Sequence, residues 1–326
     1  MATRTETKSN REKGQRVGIA LGGGGARGIS HYGVLRELRK RPDLAPTIVA
    51  GCSAGAVAGT LYAAGIDQRT MEEMAVEFDW FRDVVEIGDT LRNIFERDRP
   101  GLMSNNRLAD RINTMLDGRS FDDLPMDLAV VASDIVGNRR VIFTSARVAE
   151  RLDWEILHGF LPPRTRWTPG FETRVISDFP DVGRAVQASA TVPAFFAPVE
   201  IRDMKLIDGG AMDLVPVDII KAMRAHATVA VSLGLAALPE RVKSTYRVIS
   251  WQLGTLGIHQ LWRSLAEADV GFEITGIAER SPVKAGQVDL MEQGAADMRE
   301  HMAVLEQTVA PRRSTLARYV SSKLGV

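Results

Sequence analysis

The residue best placed to do chemistry is Ser53, at the centre of the run Gly51-Cys52-Ser53-Ala54-Gly55. This Gly-x-Ser-x-Gly spacing is typical of a nucleophile elbow, a sharp strand-to-helix turn that exposes the serine hydroxyl. Gly51 and Gly55 carry no Cβ and so leave room for such a turn. A helix that begins after the serine would favour negative charge beside it. The pattern therefore predicts a serine nucleophile at position 53.

A second motif precedes the first by about one helix, and it is the run Gly22-Gly23-Gly24-Gly25-Ala26-Arg27-Gly28. Consecutive glycines allow backbone N–H groups to converge on an anion. The spacing of Gly23, Gly25 and Gly28 also matches the dinucleotide fingerprint, but that site needs an acidic residue at the end of the next strand. Here that strand ends at the candidate nucleophile, and no Gly-Lys-Ser/Thr follows the glycines as in a P-loop. We therefore expect an oxyanion hole, with a flexible turn as the simpler alternative.

The third motif is Asp208-Gly209-Gly210, directly after the short apolar stretch 204–207. A carboxylate at the end of a strand can face the same sheet edge as Ser53. An Asp-Gly pair alone is more often a surface turn. Only the combination with the other two motifs makes Asp208 a candidate general base.

The elements that must position these residues indicate an α/β protein. Strands are predicted at 16–21 and 47–50, each followed by a helix, at 26–40 and 54–65. Further short apolar strands are predicted at 127–132, 140–144, 204–207 and 228–232. Intervening stretches long enough for crossovers favour a largely parallel sheet. After residue 238 the pattern predicts helices at 244–268 and 287–310.

In their order and approximate spacing, the three motifs resemble the bacterial branch of the patatin-like phospholipase family. Further similar stretches are Gly101-Leu102 with Ser104, Asp134, Ala188-Ser189-Ala190-Thr191-Val192-Pro193 and Val215-Pro216-Val217. The resemblance covers roughly residues 16–223. It implies a three-layer fold with a central, largely parallel sheet between helices. It also implies lipid acyl hydrolysis by a serine–aspartate dyad without a catalytic histidine.

Under this resemblance Ser53 attacks an ester carbonyl and Asp208 accepts its proton. An ordinary aspartate is a weak base, so we expect burial to raise the pKa of Asp208. The oxyanion would be stabilised by backbone N–H groups of Gly24 and Gly25, with Gly23 as a further candidate. Two roles are open to Arg27, fixing this loop or contacting a phosphate, and the simpler alternative is a solvated residue in the first helical turn. The remaining motif positions are Gly28 in the loop, Gly51 and Gly55 at the elbow, and Gly209 and Gly210 after the base.

The chain is predicted to comprise a disordered polar tail at 1–14, a catalytic domain at 15–235 and a C-terminal helical extension at 236–326. Within the catalytic domain, residues 146–181 mix aromatic residues with arginine and proline. Such a segment could be a lid insertion that faces lipid headgroups, or an ordinary packed loop. The uncharged stretch 47–66 has the length of a bilayer span, but its Gly and Ala content favours a strand, a turn and a helix.

The composition excludes several classes of function. Forty-one basic residues balance forty-one acidic ones, so no net charge favours nucleic acid. The single cysteine, Cys52, rules out an internal disulfide, and no run has metal-ligand spacing, so we expect no metal and no cofactor. The polar N-terminal stretch lacks the apolar core of a secretory signal. We expect a cytoplasmic protein that contacts a membrane surface transiently when its substrate is a phospholipid; the sequence does not fix an oligomeric state.

Three alternatives stay open on the sequence alone. Ser53, Asp208 and a later histidine (His226, His259 or His301) would match the order of an α/β-hydrolase triad, although no motif accompanies any of these histidines. A nucleotide-binding or regulatory module could use the glycine loop without hydrolysis. An interaction protein could carry an idle site.

Overall fold

The computed structural model describes residues 16–77, 103–160, 172–193, 195–234, 258–274 and 284–310. The predicted polar tail and Gly101-Leu102 lie outside the described residues, as do parts of segments 146–181 and 236–326.

The first elements carry the first two motifs. Strand β1 (Val17–Leu21) leads through a 3-10 turn (Gly25–Ile29) into helix α1 (Ser30–Arg39). Strand β2 (Ile48–Cys52) leads directly into helix α2 (Ala54–Ala63). Both strands are buried along their whole length, which is typical of parallel strands covered on both faces. The uncharged stretch 47–66 is therefore a strand, a turn and a helix, as predicted.

The remaining elements follow in chain order. The helices are α3 (Gln68–Glu77), α4 (Asn106–Leu116), α5 (Ala146–Ala149), α6 (Trp154–Phe160), α7 (Val182–Ser189), α8 (Val217–Ala222), α9 (Ile258–Glu267) and α10 (Lys284–Val309). The strands are β3 (Asp127–Asp134), β4 (Arg139–Thr144), β5 (Glu172–Ile176), β6 (Val199–Ile201), β7 (Met204–Asp208), β8 (Ala227–Ser232) and β9 (Val270–Glu273). Within the described ranges, no helix combines the length and apolar character needed to cross a bilayer.

The described strands form one nine-stranded sheet that is largely parallel, as predicted. Seven strands run in the order β5-β4-β3-β2-β1-β8-β9, and β7 pairs with both β3 and β6. The β2-β1-β8-β9 region and the β2–β3 pair are parallel, whereas β4 and β7 each run antiparallel to β3. The parallel strands place their carboxyl ends at one edge, which is where ligands bind in open α/β sheets.

Helices cover both faces of the sheet, because successive strand residues point to opposite sides. Ile19 and Leu21 belong to a core shared with α1, α2, α3, α4, α7 and α10. Ala20, between them, belongs to a second core shared with α5, α6, α8 and α9. The predicted three-layer arrangement of a central sheet between helices is therefore confirmed.

The part of the chain after residue 235 supplies more than helices. β9 pairs with β8 in parallel, so this region also contributes a strand that the sequence pattern did not predict. Helix α10 packs against α1 through two glycines. A Cβ on Gly33 would lie 1.8 Å from the Met291 carbonyl oxygen, and one on Gly294 would lie 2.1 Å from the Ser30 carbonyl oxygen. The two helix backbones therefore touch at this crossing.

Segment 146–181 is tied to the body of the molecule where it is described. β5 pairs with β4 in parallel, and Leu157 of α6 is fully buried in the second core. Residues 161–171, which hold Trp167 and several of the arginines behind the lid hypothesis, lie outside the described residues.

Replacing Gly33 with alanine should destabilise the fold, because its Cβ would overlap the α10 backbone. We expect the free energy of unfolding in urea to fall by about 1–3 kcal/mol. Gly159→Ala is the matched control: it is also helical, but its Cβ would meet nothing within 4 Å. That variant should be neutral or stabilised by up to about 1 kcal/mol. Equal destabilisation of both variants would contradict the close α1–α10 crossing.

Candidate active site

Ser53 occupies a strained turn between β2 and α2. Its φ and ψ are 53° and −122°, outside the common regions for a residue with a side chain. The glycines on either side are required by close contacts. A Cβ on Gly51 would lie 2.5 Å from the Gly55 carbonyl oxygen, and one on Gly55 would lie 2.1 Å from the Leu21 carbonyl oxygen. The local geometry is that of a nucleophile elbow, with backbone strain of the kind that clusters at functional sites.

Ser53 and Asp208 meet because their strands share one edge of β3. β2 pairs with β3 in parallel and ends with Cys52 opposite Val131. β7 pairs with β3 antiparallel and ends with Asp208 opposite Ala132. The other edge of β3 is occupied by β4 over this stretch, so β2 and β7 lie end to end on the same edge. Their carboxyl ends therefore face each other, which places the serine beside the aspartate.

The Asp208 carboxylate is buried, and the neighbouring Ser53 side chain favours its ionised form. Its Oδ1 also accepts the Gly210 N–H at 2.8 Å and lies 3.8 Å from Cys52 Sγ. Burial raises the pKa of Asp208 to about 6, while the hydrogen bonds from Ser53, Gly210 and Cys52 act in the opposite direction. The carboxylate is thus a stronger base than an exposed aspartate and is still mostly ionised at neutral pH.

The glycine loop lies against the nucleophile, and its amides have different roles. A Cβ on Gly23 would lie 3.1 Å from Ser53 Cβ. The Gly23 N–H donates to the Leu214 carbonyl at 3.2 Å, so it supports the loop instead of being free for an oxyanion. Gly24 and Gly25 stand at the start of the 3-10 turn, where amides have no partner within the helix. Among the described residues these two amides also have no acceptor elsewhere.

Arg27 and Gly28 hold this loop in place. Arg27 Nη1 donates to the Leu233 carbonyl at 2.8 Å, and its Nε donates to the Gly24 carbonyl at 3.3 Å. Of the two roles predicted for Arg27, these contacts correspond to fixing the loop. A Cβ on Gly28 would lie 2.4 Å from Ala54 Cβ, so glycine is needed for the turn to pack on α2.

His31 supports the loop from behind, a role that the sequence did not indicate. Its Nε2 donates to the Gly22 carbonyl at 2.8 Å, since a carbonyl can only accept. The ring is fully buried, and burial lowers the pKa of His31 to about 4. The imidazole is therefore neutral at physiological pH and acts as a fixed donor.

The carboxyl end of α7 and the turn after it support Ser53 and Asp208. The Ser189 hydroxyl accepts the Ser53 N–H at 2.9 Å, and the Thr191 carbonyl accepts the Asp208 N–H at 2.8 Å. A buried amide network holds this turn, because Asn105 donates to Thr191 Oγ1 at 3.1 Å and Gln187 donates to Asn105 at 2.9 Å. The family resemblance had drawn attention to residues 188–193, but nothing in the sequence assigned them these contacts.

None of the five histidines is a hydrogen-bond partner of Asp208. Nδ1 of His226 accepts the Arg16 N–H at 3.1 Å. This contact lies at the amino end of β1, whereas Ser53 follows the carboxyl end of the parallel neighbour β2. His301 stacks on Phe272 with ring centroids 4.4 Å apart. His259 lies on α9 and His158 on α6, and the His31 ring donates its hydrogen bond to the Gly22 carbonyl.

A second buried cluster joins β4, the loop that follows Asp208 and α8. Arg140 Nη1 contacts Asp213 Oδ2 at 2.8 Å and Asp218 Oδ2 at 2.7 Å, and all three side chains are almost fully buried. Burial, together with the repulsion between the two carboxylates, raises the pKa of Asp213, and burial also raises the pKa of Asp218. One guanidinium balances only one carboxylate, so the pair keeps a proton that exposed aspartates would lose.

Comparison with known proteins places this site in a family. A sequence model of the family described as patatin-like phospholipase matches residues 19–221, more than half of the chain. The chain therefore belongs to the patatin-like phospholipase family. The matched range contains the glycine loop, the elbow and Asp208.

Individual relatives are distant and longer. An uncharacterised NTE family protein of Mycobacterium tuberculosis is 29% identical over 233 residues, covering 69% of this chain and 51% of that protein. Lysophospholipase NTE1 of Scheffersomyces stipitis is 25% identical over 228 residues, covering 68% of this chain and 12% of that protein. The chain thus spans about half of the mycobacterial relative. The crystal structure of VipD from Legionella pneumophila covers 90% of this chain and 67% of that chain, with a TM-score of 0.47 and 15% identity.

Replacing Asp213 with asparagine should make stability less dependent on pH. When folding raises the pKa of a carboxyl group, that group contributes its full stabilisation at any pH below its ordinary pKa. This contribution is lost as the pH rises through the pKa that the group has in the folded protein. Between pH 5 and pH 8 the free energy of unfolding of the wild type, measured in urea, should therefore fall by about 2 kcal/mol or more relative to that of Asp213→Asn. Asp203→Asn, which removes a surface carboxylate paired with Arg174, should show no such trend. A constant difference between wild type and Asp213→Asn at all pH values would contradict the shared proton.

Proposed function

We propose that this protein is a lipid acyl hydrolase that cleaves carboxylic esters through a Ser53–Asp208 dyad. The observation that carries the proposal is the placement of a serine on a strained elbow beside a buried aspartate whose pKa burial raises. Membership of the patatin-like phospholipase family supports the same class of reaction.

In the first half of the proposed reaction, Ser53 Oγ attacks the ester carbonyl while Asp208 accepts the hydroxyl proton. The carbonyl oxygen becomes negatively charged and is stabilised by the Gly24 and Gly25 N–H groups and by the N-terminus of α2. The intermediate then collapses. The carbon–oxygen bond to the alcohol breaks, the protonated Asp208 returns its proton to the leaving alcohol, and the acyl group remains on Ser53.

In the second half a water molecule replaces the alcohol. Asp208 accepts a proton from the water, whose oxygen attacks the acyl carbon, and the same N–H groups stabilise the second oxyanion. When this second intermediate collapses, the bond between the acyl carbon and Ser53 Oγ breaks, Asp208 returns its proton to Ser53 Oγ, and the carboxylic acid is released. Arg27, His31 and the Gly23 amide support these donors by holding the loop in one conformation, since preorganised donors contribute more than mobile ones.

The geometry favours a dyad over the triad alternative. A triad needs a histidine between the serine and the aspartate, and here the Asp208 carboxylate has Ser53, Gly210 and Cys52 as its neighbouring donors and no histidine. It also favours a hydrolase over a nucleotide-binding module. The glycine loop packs on the nucleophile itself, and β2 ends without an acidic residue for a ribose.

The substrate class is proposed from the family and the relatives. The relative from Scheffersomyces stipitis is named a lysophospholipase. We propose a phospholipid, a lysophospholipid or another acyl ester as substrate, hydrolysed without a cofactor. A phospholipid would be reached by transient contact with a membrane surface, consistent with the prediction of a cytoplasmic, peripheral protein.

Ser53→Ala and Asp208→Asn should each abolish hydrolysis of p-nitrophenyl butyrate and of a fluorescent phospholipid. We expect kcat/KM to fall by at least about a thousandfold, because a dyad acts as a unit. A fluorophosphonate probe should label the wild type and not Ser53→Ala. His226→Ala is the control for the triad and should keep wild-type activity, with circular dichroism to show that every variant folds. Loss of activity in folded His226→Ala would rule out the dyad.

The pH dependence of kcat/KM should report the Asp208 carboxylate. Only the ionised form can accept the serine proton, so kcat/KM should rise with pH through about 6 and then level off. Initial rates with p-nitrophenyl butyrate between pH 4.5 and 8 would measure this limb. A profile without an inflection near this pH would show that Asp208 is not the base.

A further inference from the structure

A small apolar cavity lies beside the glycine loop, among the 3-10 turn and helices α1 to α4. It has a volume of about 40 Å³, and its walls include Gly25, Tyr32, Ala54, Val57, Met74 and Leu108. Apart from the Tyr32 hydroxyl, these side chains are apolar. A ligand held here would therefore itself be apolar.

Two wall residues connect this cavity to the proposed chemistry. Ala54 directly follows the nucleophile, and the Gly25 amide is one of the two proposed oxyanion donors. In an ester the carbonyl carbon is bonded both to the carbonyl oxygen and to the first carbon of the acyl chain. When the oxygen lies at the Gly24 and Gly25 amides and the carbon at Ser53 Oγ, the acyl chain must start within a few ångströms of these walls.

Met74 of α3 forms part of the wall of this cavity. The same residue lines an open groove of about 500 Å³ between α3 and α4, with Thr70, Glu73, Arg111 and Met115. Met74 is almost completely buried, so its side chain stands between the small cavity and the large groove. An unbranched methionine side chain is flexible and adapts readily to an irregular apolar space.

We propose that this cavity binds the acyl chain of the substrate and that Met74 determines how long a chain it accepts. This inference rests on the proposed hydrolase function and specifies its substrate. A cavity of about 40 Å³ holds roughly three groups of the size of a water molecule or a methylene. Chains of about four carbons therefore fit while Met74 keeps its position, and longer chains must displace it.

The test compares kcat/KM for p-nitrophenyl butyrate and octanoate in the wild type and in Met74→Ala. Opening the cavity into the groove should raise the octanoate-to-butyrate ratio by about tenfold or more, since each accommodated methylene changes discrimination by a comparable factor. Met115→Ala is the matched control, because Met115 lines the groove without lining the cavity, and its ratio should equal that of the wild type. The ratio is independent of the fraction of enzyme that folds, so partial destabilisation does not obscure it.

A second variant tests the same cavity in the opposite direction. Val57→Phe adds volume to a wall residue on α2 and should lower kcat/KM for butyrate relative to acetate by about tenfold. A parallel series uses butyrate esters with alcohols of increasing length. In this series kcat/KM should depend on alcohol length in the same way in wild type and Met74→Ala. A change in this alcohol series instead of the acyl series would overturn the assignment and give the cavity to the leaving group.

The outcomes separate this inference from the function on which it rests. Ser53-dependent hydrolysis with unchanged acyl ratios in both variants would refute the acyl cavity and leave the hydrolase intact. Absence of Ser53-dependent hydrolysis of every ester in the wild type would refute the hydrolase and the cavity with it.

Discussion

The register of β3 with its neighbours is the constraint on which the site depends. One edge of β3 carries the end of β2 at Val131 and the end of β7 at Ala132. Because the two strands approach from opposite directions, their carboxyl ends meet, and Ser53, directly after β2, lies beside Asp208 at the end of β7 without any long side chain. A shift of either strand by one residue would turn its side chains to the opposite face of the sheet and separate the serine from the aspartate.

The loop that begins at Asp208 joins this residue to the glycine loop. The Asp213 N–H donates to the Gly209 carbonyl, and the next residue, Leu214, accepts the Gly23 N–H through its carbonyl. The Asp213 side chain is held by Arg140 of β4. A displacement at this ion cluster would therefore move both Asp208 and the glycine loop. Removing one partner of a buried ion pair is costly, so we regard the cluster as part of the site's support.

The sequence predicted those parts of the site whose geometry is local. The elbow and the glycine loop each lie within one strand-turn-helix unit, where glycines and apolar runs determine the backbone. Asp208 could be proposed only together with the other motifs, since an Asp-Gly pair is otherwise a common turn. The largely parallel sheet was also predictable, because its apolar strands are separated by segments long enough for crossovers.

The parts that the sequence did not predict depend on contacts between distant segments. Nothing near Arg140 indicates that it meets Asp213, and a buried charge cannot be distinguished from a surface charge by its neighbours alone. Ser189 and His31 likewise gain their roles only from carbonyl and amide groups brought to them by the fold. Strand β9 is short and alternates buried and exposed residues, as an edge strand does, so it has no long apolar run by which to recognise it.

The close crossing of α1 and α10 links the glycine loop to a late part of the chain. Helix α1 continues directly from the 3-10 turn that presents the Gly24 and Gly25 amides, and its Gly33 rests on the backbone of α10. During synthesis the loop, the elbow and the aspartate all leave the ribosome well before α10 does. The packing that supports this loop is therefore complete only after the last described helix has docked, so the candidate site is assembled late in the folding of this protein.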